Sequence, residues 1–394
     1  MVRDQLAEIL NFFEAVNLKD FENSAYLHDD TSLGSALVIN SSVRPIPADA
    51  HFEMAFVFIN QHLDVSGKNN SAPQKIREEL YRLKRFASIR IADLGNLKTG
   101  KNIHETQFAL QEVSALLFQL KVNVVVVGGS QLLTLGSFRA FKEFENNINL
   151  VAVDSRIDLA TSEHSVQECN YLNAIIDDEA AFVYNIAVLA YQSYFVNKIQ
   201  LKRLAELYFE HYRLGLVREK IEQCEPVLRD ADLVSFDISA IRMADAPGQK
   251  DGSPNGLFAD EACRLTRYAG LSDRVRSLGL YEVDSEMDPQ RQTVKLAAQM
   301  LWYYIDGYVH RKHDYPASSL SECTKYEVQI DEIDFPIVFY KSNKSDRWWI
   351  EVRQLTAGEA HSETVLAGCT ADDYRQACQN EIPERWWLNF KKLK

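Results

Sequence analysis

Short apolar runs rich in β-branched residues alternate along this chain with longer stretches in which apolar positions recur every three to four residues. The short runs predict strands at AFVFI (55–59), SIRIADLG (88–95), NVVVVGG (123–129), NLVAVDSRIDL (149–159), AFVYNIAVLAY (181–191), DLVSFDIS (232–239) and SLGLYEV (277–283). The longer stretches predict helices at PQKIREELYRLKRF (73–86), HETQFALQEVSALLFQLK (104–121), IQLKRLAELYFEHYRL (199–214), DEACRLTRYAGL (260–271) and TVKLAAQMLWYYIDGYVHRK (293–312). Several of the strands are apolar on both faces, the mark of a parallel sheet covered on both sides by helices. The expected fold class is α/β, a three-layer, doubly wound, mainly parallel sheet of roughly 280 residues.

The alternation stops near Tyr315-Pro316. Beyond it come three strand-like runs (KYEVQI, FPIVFYKS, RWWIEVRQL), one helix (TADDYRQACQNEI) and four of the five tryptophans, as Arg347-Trp348-Trp349 and Arg385-Trp386-Trp387. The expected organisation is an N-terminal helical segment at 1–34, the α/β domain at 35–315 and a strand-rich α+β extension at 316–394. Tryptophan pairs in so short a module read as packing and interface rather than as nucleobase platforms. Residues 316–394 are thus the expected surface for a homo-oligomer or a protein partner.

Charge and cysteines narrow the setting. With 43 Lys+Arg against 56 Asp+Glu, the net charge is −13, which argues against binding a nucleic-acid backbone. No run approaches the ~18 apolar residues needed for a membrane span. The N-terminal MVRDQLAEILNFFEAV reads as an amphipathic helix rather than a signal peptide. Six cysteines (169, 224, 263, 323, 369, 378) without a CxxC suggest reduced thiols in a cytoplasmic protein.

Two motifs are set aside. Gly95-Asn-Leu-Lys-Thr-Gly100-Lys101 matches part of a phosphate loop, but Asn102 stands where Ser or Thr would bind magnesium, and a surface turn leading into a loop is expected. His310 and His313 are expected on the solvated end of the last long helix.

The candidate chemistry lies where the strands end, since ligands of open α/β sheets bind at their carboxyl ends. Those ends read Gly128-Gly129-Ser130-Gln131, Asp154-Ser155-Arg156-Ile157-Asp158, Ser235-Phe236-Asp237-Ile238-Ser239 and Tyr281-Glu282-Val283. Carboxylates converging on one rim are costly unless a cation neutralises them, and a dinuclear hard-metal site is the obvious arrangement.

In order and spacing these segments resemble the ureohydrolases, the family of arginase, agmatinase and formimidoylglutamase. VVVVGGSQ stands for GGDHS, VAVDSRID for DAHxD, LVSFDIS for SxDxDxxDP and LYEV for VE. SAPQKIREEL, IADLGN and SPNGLFADEACRL are similar to further family segments, and the resemblance covers roughly residues 35–312, nearest the formimidoylglutamase-like bacterial branch. It implies an arginase-like fold, two manganese ions and hydrolysis of an amidine or guanidine. Of the six metal-ligand positions it implies, Asp154, Asp158 and Asp237 are retained, whereas Gln131 and Arg156 replace histidines and Ser239 replaces an aspartate. Glu282 matches the acid that receives the substrate's cationic group. Asp245-Ala246-Pro247 is displaced from the family's stretch, and no role is transferred to it.

The substitutions set the functional expectation. A guanidinium has no acceptor and cannot ligate. Beside a divalent ion, its repulsion is about 4 kcal/mol per unit charge at 4 Å and an effective dielectric of 20. The expectation is therefore a non-catalytic ureohydrolase-fold protein serving as a binding, regulatory or assembly module. No cofactor is expected, or at most one manganese or other divalent cation held by Asp154, Asp158, Asp237 and the Gln131 oxygen. Arg156 is expected to fold into the vacated metal position and bridge Asp154 and Asp237. The alternatives are a metal-dependent hydrolase of a linear amidine or guanidine C–N bond, and a metal-free small-molecule sensor using Glu282.

Overall fold

Ten strands form one sheet in the computed structural model, which describes residues 2–21, 27–60, 71–145, 147–160, 170–353 and 364–393. They are β1 (Phe13–Glu14), β2 (Val38–Ile39), β3 (Met54–Phe58), β4 (Ile91–Leu97), β5 (Asn123–Val127), β6 (Ile148–Val153), β7 (Val183–Tyr191), β8 (Glu210–Arg213), β9 (Leu233–Asp237) and β10 (Ser277–Tyr281). Their order is β1-β4-β3-β5-β10-β9-β6-β7-β8, with β2 also on β4. Every pairing is parallel except that of β1 with β4. The α/β, mainly parallel fold class expected from the pattern is the one observed.

Alternation along the strands divides the core in two. Phe56, Val125, Val151, Phe236 and Leu280 face one helical layer, and Ala55, Val124, Leu150, Ile186 and Leu233 face the other. All five residues of β3, β5, β9 and β10 are buried, which is why these segments read as continuous apolar runs. A fully buried ion pair fastens helix Ala72–Arg82 to β4. Arg77 Nε donates to Asp93 Oδ2 at 2.8 Å, its other nitrogens reach Gln74 and Asn96, and Tyr81 adds its hydroxyl to Asp93 at 2.6 Å.

Two local expectations need correction. The helix expected at 199–214 stops at Glu206; Tyr208 then adopts φ +55°, and Glu210–Arg213 forms the edge strand β8. Pairing with β7 outweighs a helical periodicity that continues past a left-handed residue. The phosphate-loop look-alike leads straight into a helix, Ile103–Gln119, with Asn102 as its N-cap. Glu105 fills that turn and accepts from the Lys101 amide, where an anion would sit. His310 and His313 are exposed and lie beside Asp306 and Asp273, as a solvated helix end requires. Cys169 lies outside the described residues. Among the described residues, no helix is long and apolar enough to cross a membrane.

A separate antiparallel sheet follows, in the order β11 (Cys323–Val328), β12 (Ile337–Ser342), β13 (Trp348–Arg353), β14 (Thr364–Cys369). The fourth strand and a final helix, Glu384–Lys392, were not apparent from the sequence. The helix carries the second Arg-Trp-Trp triplet. Trp348 stacks on Tyr374, Trp386 on Phe390, and Trp349 lies 1% exposed beneath the Arg229 guanidinium.

Buried polar bonds join this sheet to the larger one. Arg229 donates to the carbonyls of Trp348 (2.9 Å) and Cys369 (3.1 Å), Arg385 to Gln223 O (2.8 Å), and Tyr184 to Asn389 (2.8 Å). Asp230 accepts from the Gly368 amide. Burial pushes its carboxyl up to about 6, against the opposing pull of Arg229 and Arg274.

Two outcomes follow. Arg229→Ala strands two buried carbonyls and should cost about 3 kcal/mol, read as a lower denaturant midpoint and easier proteolysis between residues 316 and 394. For Asp230, the folded chain holds its proton to higher pH than the unfolded chain does. Its contribution to stability therefore falls as pH rises from about 4 through about 6. Asp230→Asn should flatten the pH dependence of the unfolding midpoint across that window.

Candidate metal-binding active site

Parallel register brings four strand ends to one rim. β10 lies between β5 and β9, and β9 between β10 and β6, with Leu280 beside Val127, Tyr281 beside Asp237, and Val153 beside Phe236. Gln131, Asp154, Asp158, Asp237 and Glu282 therefore leave the sheet side by side, as expected from the sequence.

The backbone is bent to hold them. Gly128 (φ +91°) and Gly129 (φ +77°) turn the chain after β5, and a Cβ on Gly128 would lie 2.5 Å from Pro73 and 2.7 Å from the Ile59 carbonyl. Glu282 adopts φ +64°, a conformation rare without glycine. It is fixed from both ends: its N–H donates to Gly129 O at 3.0 Å, and its Oε1 accepts from the Gln131 amide at 2.9 Å. Asp154 Oδ1 accepts from the Arg156 amide at 2.8 Å, and Asp237 Oδ1 from the Ser239 amide at 2.6 Å. These two-residue turns aim the carboxylates inward.

Gln131 is 3% exposed, and its carboxamide stands among the acids. One terminal atom lies 3.0 Å from Asp154 Oδ2 and 3.1 Å from Asp158 Oδ2; the other lies 3.1 Å from Ser235 Oγ. Ser235 Oγ is 2.7 Å from Thr134 Oγ1. Burial first, then their mutual repulsion and the nearby Glu282, hold the carboxyls of Asp154, Asp158 and Asp237 well above the usual range. The Arg156 charge and the turn bonds oppose this only in part. Tyr171, buried behind the same rim, is pushed up by burial and by Asp158 and Asp154.

Arg156 does not bridge Asp154 and Asp237. Its guanidinium lies 4.3 Å from the ring centroid of Phe195. Stacking on an aromatic face keeps the charge at the wetter rim, where its desolvation cost is smaller. Ser239 Oγ pairs with Ser155 Oγ at 3.1 Å. Asp245 lies elsewhere, accepting from the Ala259 amide at the start of helix Ala259–Leu271.

Ser235, Thr134, Tyr171 and Phe195 complete the site and were missed in the sequence. Ser235 had a signal: two residues before Asp237 on one strand, it shares that residue's face. Thr134 follows Gln131 by three residues, whereas Tyr171 and Phe195 come from other segments of the chain. Among the described residues, no three His, Cys, Asp or Glu side chains close into a ready-made metal cage. The Gln131 carboxamide stands between two of the acids instead. Three carboxylates and one carboxamide oxygen make an oxygen-only donor set, which suits a hard divalent cation.

A sequence model of the arginase family matches residues 62–306. The formimidoylglutamase of Staphylococcus haemolyticus is 24% identical over 251 residues, covering 60% of this chain and 79% of that protein. That of Geobacillus kaustophilus is 23% identical over 270 residues, covering 64% and 84%. The crystal structure of Bacillus subtilis formimidoylglutamase superposes with a TM-score of 0.60 at 17% identity, over 67% of this chain and 90% of that one. A Trypanosoma cruzi formiminoglutamase solved with Mn2+ gives 0.62 at 17%, over 72% and 100%.

These relatives overturn two expectations drawn from Gln131, Arg156 and Ser239: the non-catalytic module, and the absence of a metal beyond at most one cation. The relatives are named as catalysts and a fold neighbour holds Mn2+. Three acids and a carboxamide oxygen still converge here although three ligand types are lost. With its matched segment spanning most of the sheet and every strand end of the rim, the chain belongs to the arginase family.

Proposed function

We propose that this chain is a divalent-metal-dependent hydrolase that cleaves the C–N bond of a linear amidine bearing an acidic group, of which formimidoylglutamate is the type. The observation that carries this reading is the meeting of Asp154, Asp158 and Asp237 with Gln131 and Glu282 at four adjacent parallel strand ends. Asp154, Asp158, Asp237 and the Gln131 oxygen would ligate the divalent metal. When bound, it supplies Lewis-acid polarisation and lowers the pKa of water.

The chain's own residues divide the rest of the work. Glu282 spends one oxygen on the Gln131 amide, which leaves the other for the amidinium N–H groups of a substrate. Arg156, a permanent cation stacked on Phe195 at the rim, suits a substrate carboxylate and disfavours a substrate whose far end is positive. Attack by water on the amidine carbon and departure of the amino-acid nitrogen then yield formamide and an amino acid. A cytoplasmic setting agrees with the five described cysteines, all free thiols.

Purified protein supplied with Mn2+ should release formamide from formimidoylglutamate, and Asp154→Asn or Asp237→Asn should lower kcat/KM by roughly 10²-fold or more. No turnover of any amidine or guanidine tested at saturating Mn2+ would overturn the reading. Arg156→Ala should raise KM for the acidic substrate with kcat nearly unchanged. It should cost only about 1 kcal/mol of stability, since it removes a ring contact and no buried ion pair.

A further inference from the structure

We infer that Gln192 is a positioning residue for substrate selection: it joins three loops at the rim and so fixes the Arg156 guanidinium where it meets a substrate carboxylate. The inference rests on the proposed reading of Arg156 as the partner of the substrate's acidic group, and it does not depend on a bound metal.

Gln192 follows β7, where the chain leaves the sheet at a strained residue. Ala190 adopts φ +70°, and the pairing of β7 with β8 slips between Leu189 and Tyr191. Gln192–Phe195 then forms a turn, closed by a 2.9 Å bond from the Phe195 amide to the Gln192 carbonyl. The Gln192 amide donates to the Ser155 carbonyl at 2.8 Å, between Asp154 and Arg156. Its two main-chain groups thus hold both halves of the Arg156–Phe195 stack, the backbone that carries the guanidinium and the backbone that carries the ring.

The side chain ties this pair to a third segment. Gln192 is 2% exposed, and its Nε2 donates to the Asn255 carbonyl at 3.1 Å. A carbonyl only accepts, so this bond fixes which end of the carboxamide is nitrogen. Its Oε1 accepts from Ser253 Oγ at 3.4 Å and from the Tyr194 hydroxyl. Ser253 and Asn255 belong to the loop beyond β9 and Asp237, where the Ser253 carbonyl accepts from the Met243 amide at 2.7 Å. Tyr194, though 62% exposed, is thereby held edge-on to Phe195, with ring centroids 4.7 Å apart at 71°. A ring held in this way presents a fixed face, and a guanidinium stacked on it keeps its fork in one direction. Bidentate capture of a carboxylate depends on that direction, and an untethered arginine would lose its freedom anew at each binding event.

Nuclear magnetic resonance titration of L-glutamate into the full chain tests this without turnover. The ligand carries the acidic groups of formimidoylglutamate and has no amidine to cleave. Wild type should bind it, and Gln192→Leu should bind it about fivefold more weakly. Tyr194→Phe, which removes one bond from an exposed residue, should bind it about twofold more weakly. In an Arg156→Ala chain, Gln192→Leu should bring no further loss, since the two residues act as one unit. With formimidoylglutamate as substrate, Gln192→Leu should raise KM by a larger factor than it lowers kcat. Circular dichroism on each variant confirms folding. Wild-type affinity in folded Gln192→Leu and Tyr194→Phe would overturn the inference, as would an equal loss with and without Arg156, or no binding by wild type. The expected binding pattern in a chain that hydrolyses no amidine would uphold the positioning role and overturn the hydrolase reading alone.

Discussion

Like-charged carboxylates buried at neighbouring strand ends are the constraint on which the rest of this molecule turns. Parallel register places Asp154, Asp237 and Glu282 at one rim, with Asp158 four residues beyond Asp154. Burial and mutual repulsion make Asp154, Asp158 and Asp237 reluctant to ionise. Such an arrangement is expensive for a fold unless a cation neutralises it. The surrounding devices serve it: Asx turns that aim Asp154 and Asp237, a left-handed Glu282 tied to the glycine turn, and an amide placed between two acids.

The departures from the family's ligand pattern have distinct physical meanings. Gln131 retains an oxygen of the kind hard cations take and stands between Asp154 and Asp158. Arg156 cannot ligate, and the structure places it on the Phe195 ring. Ser239 still contributes its main-chain amide to Asp237 while its hydroxyl pairs with Ser155. Loss of a ligand side chain is therefore not equivalent to loss of the site.

Charged groups help to join the C-terminal sheet to the larger one. Arg229 reaches two carbonyls and the Trp349 ring, Asp230 takes a main-chain amide from β14, and Arg385 returns to the Gln223 carbonyl. Charged bonds of this kind are directional, so they fix how the small sheet sits on the larger one as well as holding it there.

Much of this was legible in the amino-acid order. Local pattern determines strands and helices where burial is uniform, so β3, β5, β9 and β10 could be read as apolar runs, and the strand-end residues Gln131, Asp154, Asp158, Asp237 and Glu282 could be named from them. Pattern fails where a segment's state depends on a distant neighbour. Glu210–Arg213 is helical by periodicity and becomes a strand because β7 offers an open edge. Ser235 and Tyr171 gain their roles only when elements far apart in the chain bring them behind Gln131, where Thr134 of the same turn meets Ser235. The position of Arg156 was likewise undecided by sequence. Charge balance alone favoured a bridge between aspartates, whereas the tertiary structure supplied Phe195 and a route to the rim that costs less desolvation. Residue types and spacing thus determined which groups meet, and three-dimensional packing decided which atoms face each other, because hydrogen bonding and desolvation depend on orientations that sequence spacing does not specify.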